Sequence, residues 1–337
     1  MTSPNPQPIQ AVLEAHGFTH FGFASLQRPP TLDIYRQWLD QNYHGGMEYL
    51  RRHLSAKENP ESLLKGARSA IVVAAPYPET FPDNFVAPFR SLKVAGYAQG
   101  EDYHFWLKQK LEGVVASLKQ HYPTDDFFIA TDSSPILERD LAYRAGLGWV
   151  GKNTCLIDQK RGSFFLLGEI LTTISLSAPE MPHPDRCGTC TRCIDACPTG
   201  ALVAPRKMDA RLCISYLTIE SKDIPDQDLR PKIGDHFFGC DICQTVCPWN
   251  DKPIVAAPDQ TETLRELKYI LSAPDEELQS HIKRSPLERS RAIGLKRNAI
   301  IVAANLKLHE LHEEISLLAK EPRLSEISAW ALKQLQH

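Results

Sequence analysis

Apolar residues recur every three to four positions through residues 7–17, again from about Leu32 to Arg52, and at greatest length through EDYHFWLKQKLEGVVASLKQHY (101–122). That period puts them on one face of a helix. Between these stretches the pattern changes. HFGFASL (20–26), SAIVVAAPY (69–77) and DDFFIATD (125–132) are short and rich in β-branched or aromatic residues, which predicts strands. SAIVVAAPY is apolar without alternation and reads as a buried strand. SPILERDLAYRAG predicts a helix with Ser134 as N-cap and Pro135 at its first position. CLIDQKRGSFFLLGEILTTISL predicts two strands around a KRG turn. The front of the chain, residues 1–178, is thus expected to form an α/β (α+β) domain.

Two proline-rich joints, SAPEMPHPDR (177–186) and DKPIVAAPD (251–259), mark off a middle stretch at 179–255. Beyond it, residues 256–337 read as helices throughout: TETLRELKYILSA, SPLERSRAIGLKRNAIIVAANL, KLHELHEEISLLAK and RLSEISAWALKQL. Short paired helices of this kind resemble HEAT-like units, too few here for a solenoid of their own, and are expected to pack on the middle stretch as a small all-α domain.

Composition adds limits. The chain has 337 residues, 42% hydrophobic and 23% charged, with a formal net charge of −3. A nucleic-acid surface would therefore have to be a local patch. Residues 281–298 offer one, with Lys283, Arg284, Arg289, Arg291, Lys296 and Arg297 against Glu288; a solvated helix face has the same composition. No apolar run approaches the roughly 18 residues that span a bilayer, since FFLLGEILTTISL is interrupted by Glu169. The N-terminus lacks a basic and apolar leader and a twin-arginine pair, so the expected location is the cytoplasm, with no membrane partner.

GLGWVGKN (146–153) matches a dinucleotide-binding glycine pattern and misses a phosphate-binding loop by one residue, Asn153 standing where a hydroxyl is needed. Both motifs require a preceding strand and a following helix. Here a helix precedes and CLI follows, so the glycines are expected at a helix C-terminus.

The cysteines carry the chemistry. CGTCTRCIDACP supplies Cys187, Cys190, Cys193 and Cys197 in the C-x2-C-x2-C-x3-C-P spacing of bacterial two-cluster ferredoxins. Cys213 and then GCDICQTVCP, with Cys240, Cys243 and Cys247, form a second, altered run. Because the fourth cysteine of such a run serves the neighbouring cube, Cys187, Cys190, Cys193 and Cys247 are assigned to one [4Fe-4S] cluster, and Cys197, Cys213, Cys240 and Cys243 to another. A pair of zinc sites is the rival reading, but zinc ribbons do not interleave two C-x3-C-P runs. Cys155, in KNTCLID, is read as a small buried hydrophobe.

LERDLAYRAGLGWVGKNT, CGTCTRCIDACPTGAL, CISYLTIESK, GCDICQTVCPWN and GLKRNAIIVAANL together resemble the epoxyqueuosine reductase family over essentially the whole chain. The resemblance implies a cobalamin-binding front domain holding a base-off corrinoid, a two-cluster ferredoxin module, and a tRNA-contacting helical tail. It implies reduction of the epoxide of epoxyqueuosine at the tRNA wobble position to queuosine, with electrons passing through the clusters to cob(II)alamin and cob(I)alamin. Asp132 of TDSSP is then the proton donor, with its pKa raised by burial beside the corrinoid. Lys57, Tyr97, Asp132, Lys152, Asn153, Ser163, Ser215 and Asp241 are implied corrinoid neighbours, Lys57 standing where the family usually has Arg. Lys222, Lys296, Arg297 and Asn298 are the implied tRNA contacts. The partners implied are tRNA carrying epoxyqueuosine in its anticodon and an electron donor, acting on a monomer. A corrinoid-dependent reductive dehalogenase and a plain iron-sulfur electron carrier are the alternatives. The absent leader and basic tail weigh against the first, and the long front domain weighs against the second.

Overall fold

The computed structural model describes residues 7–77, 85–177, 183–250 and 259–336, so half of the first proline-rich joint and nearly all of the second lie outside the described residues. The front is organised by a four-stranded sheet in the order Phe21–Ser25, Ser69–Pro76, Phe165–Thr172, Phe127–Ala130. Every neighbouring pair is antiparallel, which puts the fold on the α+β side of the expected class, since parallel neighbours would need a crossover between them. The two central strands are buried almost end to end, as the unbroken apolar run SAIVVAA requires. Ile71, Val73 and Ala75 face helices Gln7–Ala15 and Tyr103–His121. Ala70, Val72 and Ala74 face the opposite way, onto Ile136, Leu141, Ala142 and Leu156.

Helix Tyr103–His121 has the single long amphipathic face its sequence announced, with Leu107, Leu111, Val114 and Leu118 fully buried. Asp102 caps it by accepting the backbone N–H of His104 at 3.0 Å. The helix expected from Leu32 to Arg52 is instead two pieces, Leu32–Asp40 and Glu48–Arg52, with a further short helix, Leu54–Glu58, beyond it. The break falls at Gly45 (φ 56) and Gly46. A Cβ on Gly45 would lie 2.6 Å from the Tyr216 ring, and Gly46 N–H donates to the Tyr216 hydroxyl at 2.7 Å. Close approach of two chain segments, invisible to periodicity, therefore shapes the turn between the two helices.

The helix after Asp132 also starts late. It spans Glu138–Arg144, and Ser134 closes a turn to the Thr131 carbonyl at 2.8 Å instead of capping a helix at Pro135. At its far end Gly146 takes a φ of 80°, and Trp149–Val150 then pairs with Leu156–Ile157. The glycine string is thus a helix terminus leading into a hairpin. A Cβ on Gly148 would stand 2.1 Å from the Ile157 carbonyl oxygen, which is why that position takes glycine.

A third core surrounds helix Arg291–Asn305, whose residues from Leu295 to Ala304 are all buried. Gln260–Ser272 and Ser325–Leu335 pack against it, together with Phe237 and Phe238 from the middle stretch and Phe89, Leu92 and Val94 from the front. Lys93–Val94 pairs in parallel with His236–Phe238. This core therefore draws on all three stretches of the chain. Among the described residues no helix is long and apolar enough to cross a membrane.

Candidate active site

Two short helices, Arg192–Asp195 and Ile242–Thr245, each lie inside a cysteine run. Cys187, Cys190, Cys193 and Cys247 line one cavity of about 320 Å³, walled by Lys152, Asn153 and Trp249. Cys197, Cys213 and Cys240 lie within electrostatic reach of one another, and Cys243 within reach of Cys213 and Cys240. Burial pushes the Cys193, Cys213 and Cys247 thiols up, and Cys240 to about 12. Bare thiolates are disfavoured in such surroundings, so the site suits a cationic iron core that holds them deprotonated. Cys155 is half-buried, its thiol facing the Asn153 carbonyl at 3.9 Å and lying close enough to Cys243 for the two thiols to influence each other. Nothing in the spacing of KNTCLID signals that contact.

Several of the expected corrinoid neighbours lie in the seam between the sheet domain and the cysteine loops, while Lys57 sits within the front domain. Lys152 Nζ donates to the carbonyls of Gly188 (2.7 Å) and Cys190 (2.9 Å), and Asn153 Nδ2 to that of Cys243 (3.1 Å). Ser163 Oγ donates to Gln244 Oε1 at 2.8 Å and its N–H to Asn250 Oδ1 at 2.7 Å. Ser215 Oγ lies 3.5 Å from the Cys240 carbonyl. Asp241, buried and therefore raised above the ordinary carboxyl range, accepts Gly96 N–H at 2.6 Å. Lys57, buried and lowered by desolvation, donates to the Ile136 carbonyl at 2.9 Å. The Tyr97 hydroxyl is held far above its usual range by burial and by the charges of Asp241 and Asp132, which places these three side chains in one neighbourhood.

Asp132 ends the sheet's edge strand within a cluster of four polar side chains. Its Oδ1 pairs with Nε2 of His104 at 2.7 Å, and its Oδ2 accepts the Tyr103 hydroxyl. The other imidazole nitrogen of His104 lies 2.7 Å from Asp102 Oδ1. The side chains of His104 and Asp132 keep 38% and 44% of their surface open, so a ligand can reach them. Burial pushes Asp132 up, but the hydrogen bond and charge of His104, with the Tyr103 hydroxyl, outweigh it and leave the carboxyl below its ordinary value. This corrects the expectation of a raised pKa: a cation next to the carboxyl favours its ionised form. His104 moves the opposite way. Burial would lower it, yet its two carboxylate partners hold it up at about 10.

The comparisons with known proteins point in one direction. The family described as 4Fe-4S double cluster binding domain matches residues 186–250, and the one described as Epoxyqueuosine reductase QueG, DUF1730, matches residues 57–133. A curated epoxyqueuosine reductase of Cyclobacterium marinum is 38% identical over 302 residues, covering 87% of this chain and 94% of the relative. The chain belongs to the epoxyqueuosine reductase family. An epoxyqueuosine reductase structure from Bacillus subtilis, 28% identical, matches with a TM-score of 0.84 over 98% of this chain and 90% of its own; its catalytic aspartate loop is swung out of the active site. A second epoxyqueuosine reductase structure, 29% identical with a TM-score of 0.83 over 98% and 90%, holds an epoxyqueuosine-modified tRNA-Tyr stem loop.

For an epoxyqueuosine reductase the basic tail was the natural place to look for tRNA contacts, and the structure corrects part of that expectation. Lys296, Arg297 and Asn298 are 7%, 4% and 1% exposed. Arg297 donates to the carbonyls of Leu217, Ser221 and Asp223, and Asn298 to those of Thr218 and Phe237. Lys296 pairs with Asp275 at 2.6 Å. Their helix runs through the middle of a core, so Arg297 and Asn298 are spent on main-chain carbonyls and Lys296 on a carboxylate, and none presents a free cation to phosphate. Lys222, on the loop that Arg297 grips, is exposed, as are Lys283, Arg284, Arg289 and Arg291.

A further residue escaped the sequence reading. Glu169, opposite Val72 and Ala130 in the sheet, is fully buried, and neither carboxyl oxygen has a hydrogen-bond partner among the described residues. Burial, reinforced by the charges of Glu138 and Asp132, raises it well above the ordinary carboxyl range.

Proposed function

We propose that this chain reduces the epoxide of epoxyqueuosine in a tRNA anticodon to give queuosine, acting in the cytoplasm as a monomer supplied by a separate electron donor. Family membership over almost the whole chain supports the reaction class. The observation that carries the site is Asp132, a ligand-accessible carboxyl in the same neighbourhood as Asp241, which adjoins Cys240.

In this reading the two cysteine sets would each hold a [4Fe-4S] cluster, which would supply single-electron transfer. Lys57, Tyr97, Lys152, Asn153, Ser163, Ser215 and Asp241 would hold a base-off cobalamin at the seam; hydroxyls, a carboxamide and ammonium groups suit the amide-rich rim of a corrin. When bound, the corrinoid supplies a strongly reducing cobalt. The residues of the chain do the rest. The seam excludes water from the reacting edge of the substrate, and Asp132 brings a proton to the epoxide oxygen. Both carbon–oxygen bonds break, a carbon–carbon double bond forms, and the oxygen leaves as water after uptake of two electrons and two protons. The modified base would leave its stack to bring its epoxide to Asp132, and Lys222 would meet the RNA backbone.

The test supplies epoxyqueuosine-containing tRNA, cobalamin and a strong reductant, and looks for queuosine in the digested RNA. Asp132→Asn is expected to keep both cofactors and lose turnover by about 100-fold or more. Iron-loaded protein that retains no corrin and forms no queuosine would instead make the chain an electron carrier.

A further inference from the structure

Two carboxylates grip one imidazole. Asp102 Oδ1 lies 2.7 Å from Nδ1 of His104, and Asp132 Oδ1 lies 2.7 Å from its Nε2. Asp102 also caps the helix that carries His104, accepting the His104 N–H at 3.0 Å. The Tyr103 ring stacks on the imidazole at 4.3 Å between centroids, while its hydroxyl reaches Asp132. A neutral imidazole has one N–H and could satisfy only one of these carboxylates, whereas the imidazolium donates to both. The other ionisable groups nearby are Glu138 with Lys57 and Arg139 beside it, Glu169, Tyr97, Tyr49 beside the Glu220–Arg289 pair, and Glu101, which is paired with Arg284. Arg284 and Arg289 are each paired with a carboxylate, Lys57 and Arg139 lie beside Glu138, and among the described residues the hydrogen-bonding and ion-pair partners of the ring are the two aspartates alone.

We propose that His104 stores the proton that Asp132 delivers, passing it from Nε2 to Asp132 Oδ1, with Asp102 as the positioning residue that holds the ring in line. The proposal rests on the reduction assigned above and deepens it. As the epoxide oxygen takes the proton from Asp132, His104 becomes neutral. Solvent restores its proton through the open face of the ring and supplies the second proton of the water released. The depressed acidity range of Asp132 is then no obstacle, because the acid is the aspartate–histidine pair and not the aspartate alone.

The first measurement needs neither corrin nor tRNA. Ring-nitrogen NMR of the cobalamin-free chain, with His104 signals assigned by their loss in His104→Gln, is expected to show a doubly protonated ring at pH 8. A free imidazole is neutral there. Asp132→Asn should return the ring toward neutrality at that pH, and a wild-type ring that titrates near 6.5 overturns the proposal. The second measurement is single-turnover deoxygenation by the reconstituted enzyme. His104→Gln is expected to slow the step about 100-fold at pH 8 and far less at pH 5.5, where solvent can protonate Asp132 directly. Equal loss at both pH values would mean a purely structural role and also overturns it. Wild-type enzyme inert toward epoxyqueuosine tRNA would overturn the assigned reduction instead, a result the NMR measurement keeps separate.

Discussion

The carboxamide of Asn153 donates to the main-chain carbonyl of Cys243 across 3.1 Å and at the same time accepts the N–H of Cys155 at 3.2 Å. One side chain of the glycine turn thereby braces a cysteine assigned to a cluster and the extra thiol beside it. Asn153→Ala should cost about 1 kcal/mol for each hydrogen bond lost. Its clearer consequence should be faster loss of iron–sulfur absorbance when the holoprotein is exposed to a chelator, with far-ultraviolet circular dichroism unchanged. Absorbance decay at the wild-type rate would remove the bracing role.

Gly148 marks the tightest approach in the same turn. An added methyl would press on the Ile157 carbonyl, which the hairpin holds in place. Gly148→Ala is expected to destabilise the chain by on the order of 1–3 kcal/mol, read as a lower denaturant midpoint. Gly188, with nothing within 4 Å of an added Cβ but a φ of 49°, should show only the smaller penalty of left-handed backbone.

Glu169 sets a pH dependence whose sign is fixed by its environment. Its folded-state pKa lies above the unfolded value, so the native state binds the extra proton. Its contribution is complete below the unfolded pKa and is lost as pH rises toward the folded one. Glu169→Gln keeps the shape and removes that titration. The variant should match the wild type near pH 4 and gain relative stability above it, by at most about 1.4 kcal/mol per pH unit. Thermal unfolding of both proteins across pH 4–8 checks this, and a constant offset would contradict it.

Arg297 and Lys222 should separate structure from RNA contact. Arg297→Ala removes the donor for three main-chain carbonyls, that of Leu217 buried, and is expected to cost about 2–3 kcal/mol, visible in unfolding without any RNA. Lys222→Ala should leave stability within about 0.5 kcal/mol, weaken tRNA binding, and lower the salt slope of the affinity by about one. Binding assays at two ionic strengths decide it.

The parts legible in the sequence are those where chemistry or burial constrains neighbours along the chain. Ligand spacing groups Cys187 with Cys190 and Cys193, and the β-branched run at Ser69–Pro76 can only be a buried strand. The rest depends on contacts between distant residues. The pairing of His104 with Asp132 spans 28 positions and leaves no periodic trace. Gly45 must be glycine in the turn after its helix because of Tyr216, about 170 residues away. Arg297 looks like every other cation in its run until the core closes around it. Charge composition reports sign, and only packing reports whether a charge is available.

Phe89, Leu92 and Val94 enter the same apolar core as the last helices, together with Phe237 and Phe238. The C-terminal stretch is therefore no detachable RNA-gripping accessory. A chain shortened to its first 255 residues would leave those aromatic side chains bare to water. Such a fragment should clump, and grafting the tail onto another carrier should fail for the same reason.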